Sequence, residues 1–214
     1  MLVGIKDLVK RPLQRFGWFH GIQIARGGYL EDVGWVRSKL TGEPVDAAGA
    51  PLPWLTYPAI GFLAAAIPQD ARVFEWGSGA STAWFAGRAS RVVSCEHDPA
   101  WYRHVCETAP PNAEVHLNSQ QQDSYVAEVT KHGEFDLVLI DGRRRVDCAR
   151  AALDALSRTG VIVWDNTDVP KYRSGLKMLA DNGFRRVDFT GLIPSSNVGG
   201  TTSVLYRDHN CLGL

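Results

Sequence analysis

Two acidic residues flank a glycine-rich turn in the chain. The turn, Glu75-Trp76-Gly77-Ser78-Gly79, follows a β-rich run at 72–76 and precedes a segment of helical length. Glycines here let the backbone turn tightly and lie flat against a bound nucleotide. Glu96 ends the next β-rich run, at about the 20-residue distance at which such folds hold ribose hydroxyls. The spacing predicts a nucleotide-binding crevice with two carboxylates.

The residues of this turn also distinguish between two classes of nucleotide cofactor. A dinucleotide fold has a third glycine where this chain has Thr82, so that a helix N-terminus can meet a pyrophosphate. Glu75 would place negative charge near those phosphates, whereas it would attract the ammonium group of a methionine moiety. These residues favour S-adenosylmethionine (SAM) over NAD. The alternative is a tight turn without a ligand, with Glu96 at a solvated strand end.

A second set of polar residues follows two later β-rich runs, at 135–141 and 161–165. Asp141 ends the first run, and Asp165 and Asn166 end the second. The carboxyl ends of parallel strands meet at one sheet edge, where open α/β sheets bind ligands. Two carboxylates and an amide oxygen suit Mg²⁺, Mn²⁺ or Ca²⁺. The alternative is that Asp141 caps a helix or binds the cofactor while Asp165 and Asn166 shape a turn.

The elements that must position these residues alternate from Arg72 onward. Further β-rich runs are expected at 91–96, 114–118, 184–190 and 201–206, and helices at 81–88, 98–108, 124–132, 146–157 and 171–182. Asp98 is expected to cap its helix, with Pro99 at the first helical position. The pattern predicts a doubly wound, Rossmann-like α/β fold with helices on both faces of the sheet. The last two runs lack an intervening helix, which predicts an antiparallel pair.

The segment from Val73 to Thr82 resembles motif I of class I SAM-dependent methyltransferases, especially a small O-methyltransferase-like bacterial group with G-x-S-T. Stretches 53–58, 140–143 and 200–203 also resemble that group, and the similarity in element order extends over roughly 52–207. The resemblance implies seven strands in the order 3-2-1-4-5-7-6, with strand 7 antiparallel. We therefore expect an N-terminal extension or lid at 1–51 and a SAM-binding domain at 52–214.

The resemblance also implies roles for individual residues. Glu75, Gly77 and Gly79 would hold the methionine part of SAM, and Glu96 the ribose. His97 would offer a stacking surface for the adenine. The full set of expected cofactor-binding residues is Glu75, Gly77, Ser78, Gly79, Ser81, Thr82, Glu96, His97, Ser119, Gln120 and Asp141, with Ser119-Gln120-Gln121 along the adenine edge.

Asp141, Asp165 and Asn166 resemble the metal site of catechol and caffeoyl-CoA type O-methyltransferases, so Asp141 is the expected catalytic base or metal ligand. The catechol enzymes have a lysine base three residues after the first aspartate, where this chain has Arg144, which stays protonated. A catechol substrate is therefore not expected. The neighbouring Arg143, Arg144 and Arg145 could bind an anionic acceptor or pair with surface carboxylates.

Composition limits the partners and the location. The 23 basic residues balance 23 acidic ones, so nucleic acid is not an expected partner. Four cysteines without a C-x-x-C pair suggest reduced thiols in a cytoplasmic protein. No apolar run is long enough for a transmembrane helix. Residues 1–16 could form a basic amphipathic helix that contacts a membrane surface, although Pro12 interrupts the pattern and an ordinary surface helix is favoured.

Together these features predict a SAM-dependent methyltransferase that transfers a methyl group to an oxygen of a small-molecule or glycan-type acceptor, with or without a divalent cation. Three alternatives remain: a SAM-binding module without catalysis, an NAD-binding oxidoreductase and an aminopropyltransferase. The acceptor and the oligomeric state are not predictable, because acceptor pockets are built from variable loops, here residues 1–70 and 191–200.

Overall fold

A seven-stranded mixed sheet forms the centre of the computed structural model, which describes residues 17–214. The strand order is β3-β2-β1-β4-β5-β7-β6. Strands β1 to β5 are parallel, and β7 runs antiparallel to both neighbours. The predicted order and the antiparallel seventh strand are thus confirmed. The strands are β1 Arg72–Trp76, β2 Arg91–Glu96, β3 Ala113–Leu117, β4 Phe135–Ile140, β5 Leu156–Asp165, β6 Arg185–Leu192 and β7 Gly199–Tyr206.

Helices surround this sheet, and a group of short helices precedes it. None of the helices between residues 17 and 214 is long and apolar enough to cross a membrane. The amphipathic helix expected within 1–16 lies outside the described residues. The helices are α1 Gly17–Ala25, α2 Tyr29–Asp32, α3 Trp35–Thr41, α4 Tyr57–Ala66, α5 Ala80–Ala86, α6 Pro99–Thr108, α7 Asp123–Ala127, α8 Arg145–Ala152 and α9 Arg173–Asp181, with 3-10 turns at Glu128–Lys131 and Pro170–Tyr172.

The central strands are apolar on both faces, which explains why helices cover the sheet on both sides. In β4, Leu137 and Leu139 belong to one core cluster, while Val138 and Ile140 belong to the other. This period of two places successive side chains on opposite faces. A strand buried on both faces has a nearly continuous apolar sequence, as expected for parallel sheets between helix layers.

The boundaries differ from expectation most at β5. The helix expected over 146–157 ends at Ala152, and the strand expected from residue 161 begins at Leu156. Leu156 already pairs with Phe135, and the register shifts before the regular pairing resumes. A Cβ at Gly160 would lie 2.8 Å from the carbonyl oxygen of Phe135. Close packing of β4 against β5 cannot be seen in the local sequence. It therefore explains why β5 begins earlier than expected, with an irregular stretch before residue 161.

The N-terminal segment contacts the loop between β6 and β7. The indole nitrogen of Trp35 donates to the carbonyl oxygen of Ser196 at 2.7 Å, and Lys39 Nζ donates to that of Ser195 at 3.1 Å. Trp35 also packs against the core cluster on one face of the sheet. The segment is thus joined to the sheet layers and to the loop, while its role as a lid stays a prediction.

Candidate active site

A cavity of about 980 Å³ opens at the carboxyl ends of β1, β2, β4 and β5. This is the edge at which open α/β sheets bind ligands, and the volume suits a cofactor-sized molecule. Both candidate sets of polar residues meet here. The lining includes Glu75, Gly77, Ser78, Ser81, Glu96, His97, Asp141, Asp165 and Asn166 from the expected residues, together with Trp54, Asp98, Trp101, Arg143, Arg145 and Ile193–Ser196.

The glycine turn has the backbone conformation that its sequence predicts. Gly77 has φ +98° and Gly79 has φ +148°, values that residues with a side chain rarely adopt. A Cβ at Gly79 would also lie 3.2 Å from the ring of Trp101. That ring is held over the turn because its indole nitrogen donates to the carbonyl oxygen of Ser78 at 2.7 Å. Glycine is therefore needed for conformation at Gly77, and for conformation and space at Gly79.

Glu75 is a fully buried carboxylate with one unused oxygen. Its Oε1 accepts hydrogen bonds from the hydroxyl groups of Ser94, at 2.6 Å, and Thr82. Its Oε2 is buried and has no hydrogen-bond partner in the structure, although the residue lines the cavity. Burial raises the pKa of Glu75 to about 7, although these hydrogen bonds oppose the rise. An ammonium group at Oε2 would satisfy the oxygen and favour its charged form.

Thr82 acts behind the cavity wall rather than in it. Its hydroxyl oxygen accepts from the backbone nitrogen of Gly79 at 3.0 Å, and its hydroxyl group donates to Glu75. The side chain is buried and ties the turn to the carboxylate. The residue that departs from the dinucleotide pattern therefore positions a negative charge next to the turn, where a pyrophosphate would be repelled.

Glu96 lies on the opposite side of the turn and is already surrounded by donors. Its Oε2 accepts from the backbone nitrogen and hydroxyl group of Ser78, at 3.2 and 3.0 Å. Its Oε1 accepts from the backbone nitrogens of His97 and Asp98, at 2.7 and 2.9 Å. These contacts fix the carboxylate at the cavity wall. Because the serine hydroxyl can rotate away, a ribose hydroxyl fits as a substitute donor.

His97 and Arg143 form the neighbouring wall, where Arg143 Nε donates to His97 Nε2 at 3.3 Å. His97 lines the cavity, and its stacking on the adenine stays a prediction. Ser119 and Gln120 do not line this cavity. The neighbouring Asn118 turns inward, with its side-chain nitrogen 2.9 Å from a carboxylate oxygen of Glu128. The adenine contact of the segment after β3 therefore stays a prediction.

Arg145 lies between the ends of β4 and β5 and contacts both. Its Nη2 donates to the Oδ1 and the carbonyl oxygen of Asp141, at 2.8 and 2.6 Å. Its Nη1 donates to the carbonyl oxygen of Asp165 at 2.6 Å and to Oδ1 of Asn166 at 3.1 Å, and its Nε to the carbonyl oxygen of Gly142 at 3.0 Å. One guanidinium group therefore connects all three expected metal ligands.

This arrangement does not fit a divalent cation at Asp141, Asp165 and Asn166. The guanidinium group, with only 11% of the Arg145 side chain exposed, already binds an oxygen of Asp141 and the amide oxygen of Asn166. The Oδ1 of Asp165 instead accepts from the hydroxyl group of Thr202 at 2.6 Å. The three residues do converge, as the sequence predicts, but their charge is balanced by an arginine. The sequence drew attention to Arg145 as the third residue of the basic cluster, but it did not predict that this arginine would contact Asp141.

Asp141 is the carboxylate of this group that most directly faces the cavity. Burial raises its pKa to about 7; the charge of Arg145 opposes the rise, and those of Asp165 and Glu75 add to it. Arg145 binds Oδ1 of Asp141, and the other oxygen, Oδ2, has no hydrogen bond within residues 17–214. An unbonded carboxylate oxygen whose pKa lies near neutral can accept a proton from a bound hydroxyl group.

The three consecutive arginines point in different directions. Arg143 lines the cavity beside His97, and Arg145 binds the carboxylate of Asp141 and the carbonyl oxygen of Asp165. Arg144 has φ +49°, which turns its side chain outward to salt bridges with Asp123 at 3.1 Å and Asp147 at 3.0 Å. Arg144 is thus a surface pairing residue and takes no part in the cavity.

Trp54 and the loop Ile193–Ser196 form a further part of the cavity wall. The indole nitrogen of Trp54 donates to the hydroxyl oxygen of Ser195 at 3.2 Å, and the side chain is 56% exposed. The sequence places acceptor recognition in residues 1–70 and 191–200, which include Trp54 and the loop, but assigns it to no single residue. Trp101 stands two residues after Pro99 and carries no local signal for ligand contact.

Comparison with known proteins agrees with the fold and the cavity. Residues 74–167 match a family model described as a methyltransferase domain. No curated protein matches the sequence. Among solved structures, precorrin-6y C5,15-methyltransferase from Geobacter metallireducens has a TM-score of 0.57 at 14% identity, covering 74% of this chain and 94% of that one.

Two other solved structures are similar over the same region. The O-methyltransferase TomG from Streptomyces achromogenes, in complex with SAM, has a TM-score of 0.53 at 21% identity and covers 68% of this chain and 77% of its own. Spermidine synthase from Thermotoga maritima has a TM-score of 0.50 at 17% identity, and the match spans 69% of this chain but 56% of that one. These likenesses establish the fold.

The strand order and the cavity define a Rossmann-like α/β fold with a ligand-sized cavity at the carboxyl ends of its parallel strands. Within this fold, residues 74–167 match a methyltransferase domain.

Proposed function

We propose that this enzyme methylates a hydroxyl oxygen of a small-molecule or glycan-type acceptor, without help from a divalent cation. The observation that carries this proposal is Asp141, whose carboxylate faces the cavity with a pKa raised to about 7 by burial. An acid of that pKa is half ionised near neutral pH and is well matched to the removal of a hydroxyl proton.

Different residues around the cavity bind different parts of SAM. SAM supplies an electrophilic methyl group on a sulfonium centre. Glu75 Oε2 receives the ammonium group of the methionine part, and Glu96 receives the ribose hydroxyls. His97 and Arg143 enclose the adenine. The chain thus contributes mainly orientation and exclusion of water, which supply much of the rate in group transfer.

Asp141 takes the acceptor's proton as the new C–O bond forms, and the C–S bond electrons leave with the sulfur. Arg145 holds Asp141 through two hydrogen bonds, to Oδ1 and to the carbonyl oxygen. It therefore orients Oδ2 toward the cavity and limits the rise in the pKa of Asp141. Arg145 acts here as a positioning residue.

Two features support a hydroxylated acceptor with a flat or ring-shaped face. Trp54 offers an exposed aromatic face at the acceptor side, and aromatic faces bind rings of aromatic or sugar type. Next to it, Ser195 and Ser196 provide polar groups for hydroxyl contacts. TomG, an O-methyltransferase of similar fold, supports the same chemistry. We further propose that the enzyme acts in the cytoplasm, because its four cysteines are free thiols.

The test is a screen for release of S-adenosylhomocysteine with hydroxylated acceptors, followed by identification of the methylated atom. We expect a methyl ether and turnover that survives exhaustive chelation of divalent ions. Asp141→Asn should lower kcat by about 10²-fold or more, the typical contribution of a general base. A methyl group found on nitrogen or carbon, or activity restored only by added Mg²⁺, would overturn the proposal.

A further inference from the structure

Three side chains of the types that bind metal ions lie close together at the edge of the sheet. Glu114, His116 and His132 each offer one ligand atom, and these atoms all lie within 4.8 Å of one another. It is the one such group of three among the described residues. None of the three lines the SAM cavity, so the reaction proposed above makes no use of them.

The fold brings these residues together from two elements. Glu114 and His116 are two positions apart on the edge strand β3, so their side chains leave on the same face. His132 follows the 3-10 turn Glu128–Lys131, which packs beside that face. The two imidazole rings lie with their centroids 4.5 Å apart. The cluster therefore rests on regular backbone on one side and a short turn on the other.

His116 has an unused donor atom at the centre of the cluster. Its Nε2 is buried without a hydrogen-bond partner, and it lies 3.9 Å from Oε2 of Glu114. That distance is too long for a hydrogen bond. It is close to the roughly 3.4 Å that separates two ligand atoms, each about 2.1 Å from one tetrahedral zinc ion. A bound cation would satisfy the nitrogen after a small rotamer adjustment.

Glu128 supplies His132 with the outer contact that zinc-binding histidines usually have. Its buried carboxylate places Oε1 2.8 Å from Nε2 of His132; the same oxygen lies 3.6 Å from Nδ1 of His116, which is too long for a hydrogen bond. A carboxylate behind a histidine fixes the ring and its tautomer and raises its basicity as a ligand. On the other side, Arg91 binds Oε1 of Glu114 at 2.9 Å and leaves Oε2 directed at His116.

We propose that Glu114, His116 and His132 form a binding site for a zinc-type divalent cation, with water completing a tetrahedral set. Two imidazoles and one carboxylate are a ligand set that zinc uses in proteins. The site would fasten the edge strand β3 to the turn that follows α7. Through Glu128, which accepts a hydrogen bond from Asn118, it would also steady the start of the segment after β3.

The experiment uses the full, untagged chain, freed of metal by chelation and titrated with Co²⁺ as a spectroscopic substitute for zinc. We expect one Co²⁺ per chain with the visible absorption of a tetrahedral site, displaced by Zn²⁺. His116→Ala and His132→Ala should each weaken binding at least about tenfold. Glu114→Gln, an exposed substitution that leaves the fold intact, should weaken it in the same direction.

His209→Asn is the matched control, because His209 is an exposed histidine outside the cluster whose left-handed φ of +58° asparagine tolerates. It should bind Co²⁺ like the unmodified chain. All variants should bind SAM within about twofold of the unmodified chain, which separates this proposal from the methyltransferase assignment. Absence of a tetrahedral Co²⁺ signal, or a signal unchanged in Glu114→Gln and both histidine variants, would overturn the proposal.

Discussion

Arg145 Nη2 lies 2.8 Å from Oδ1 of Asp141 and 2.6 Å from the carbonyl oxygen of the same residue. One guanidinium group thus holds both the side chain and the backbone of the proposed base. Asp141 and Asp165 would otherwise leave a buried pair of like charges, which is unfavourable in a poorly hydrated site. Arg145 offsets that repulsion.

Replacement of Arg145 should therefore change the pH profile as well as the rate. The charge of Arg145 lowers the pKa of Asp141, against the effect of burial. In Arg145→Gln the pKa should rise, so the half-maximal point of kcat should move from about pH 7 to a higher value. Arg145→Lys keeps the charge and should shift the profile less.

Stability provides the control for these variants. Leaving Asp141 without its partner should lower the unfolding free energy, but by less than the roughly 3–5 kcal/mol of a fully buried pair, because 31% of the Asp141 side chain is exposed. A lower kcat with an unshifted pH profile would show that Arg145 has only a structural role. The profile is measured under saturating SAM and acceptor.

Glu75→Gln tests the methionine subsite. The substitution keeps the shape of the side chain but removes the charge that would attract the ammonium group of SAM. We expect SAM affinity to fall by about 30-fold or more, because loss of one partner of a buried charge pair costs about 2 kcal/mol or more. Asp147→Asn is the matched control, because that carboxylate is on the surface and pairs with Arg144. Equal SAM affinity in the unmodified chain and Glu75→Gln would contradict the assignment.

The same residue gives the ligand-free enzyme a characteristic pH dependence. The pKa of Glu75 is about 7 in the folded chain and near its ordinary value of 4.5 when the chain is unfolded. Between these values the folded state binds more protons, so unfolding free energy should fall as pH rises from about 4.5 to about 7. Glu75→Gln should flatten this slope, and should be more stable than the unmodified chain above pH 7. A slope of opposite sign in this window would contradict the buried, uncompensated carboxylate.

Gly142→Ala should disturb the packing of the cavity wall. A Cβ at this position would lie 2.1 Å from the hydroxyl oxygen of Tyr125 and 3.0 Å from the carbonyl oxygen of Trp76. Overpacking of this kind costs roughly 1–3 kcal/mol. Gly61→Ala is the control, since Gly61 lies within α4 with nothing within 4 Å of its Cβ position, and should be neutral or stabilising. Thermal unfolding of both variants measures the difference, and an equal response would contradict the packing described.

Trp54→Ala tests acceptor recognition. Loss of the exposed indole should raise the KM for the acceptor about tenfold while SAM affinity stays within about twofold, because the side chain of Trp54 contacts Ser195 in the loop between β6 and β7. The control is Leu40→Ala, which removes another exposed apolar side chain, 83% accessible, outside the cavity. A selective loss of SAM affinity in Trp54→Ala would place the residue in the cofactor site instead.

Features that depend on local sequence were predictable, and those that depend on distant contacts were not. Strands 72–76 and 91–96 were predicted to the residue, and Asp98 caps its helix by accepting from the backbone nitrogens of Ala100 and Trp101. Propensity, periodicity and capping chemistry suffice for such elements.

Arg145 and Trp101 show what the local sequence could not predict. Their roles depend on which way a side chain points across the edge of the sheet, toward Asp141 in one case and over Gly79 in the other. Three adjacent arginines look equivalent in the sequence, but backbone φ directs Arg144 outward. The sequence therefore indicates which residues gather at the site, and tertiary packing decides which contacts they make.

The most direct test of the central assignment is calorimetric titration of the purified chain with SAM, S-adenosylhomocysteine and NAD. We expect one site per chain for SAM and for S-adenosylhomocysteine, with affinity that falls in Glu75→Gln, and no binding of NAD. Binding of NAD, or failure of both SAM and S-adenosylhomocysteine to bind the folded chain, would contradict the assignment.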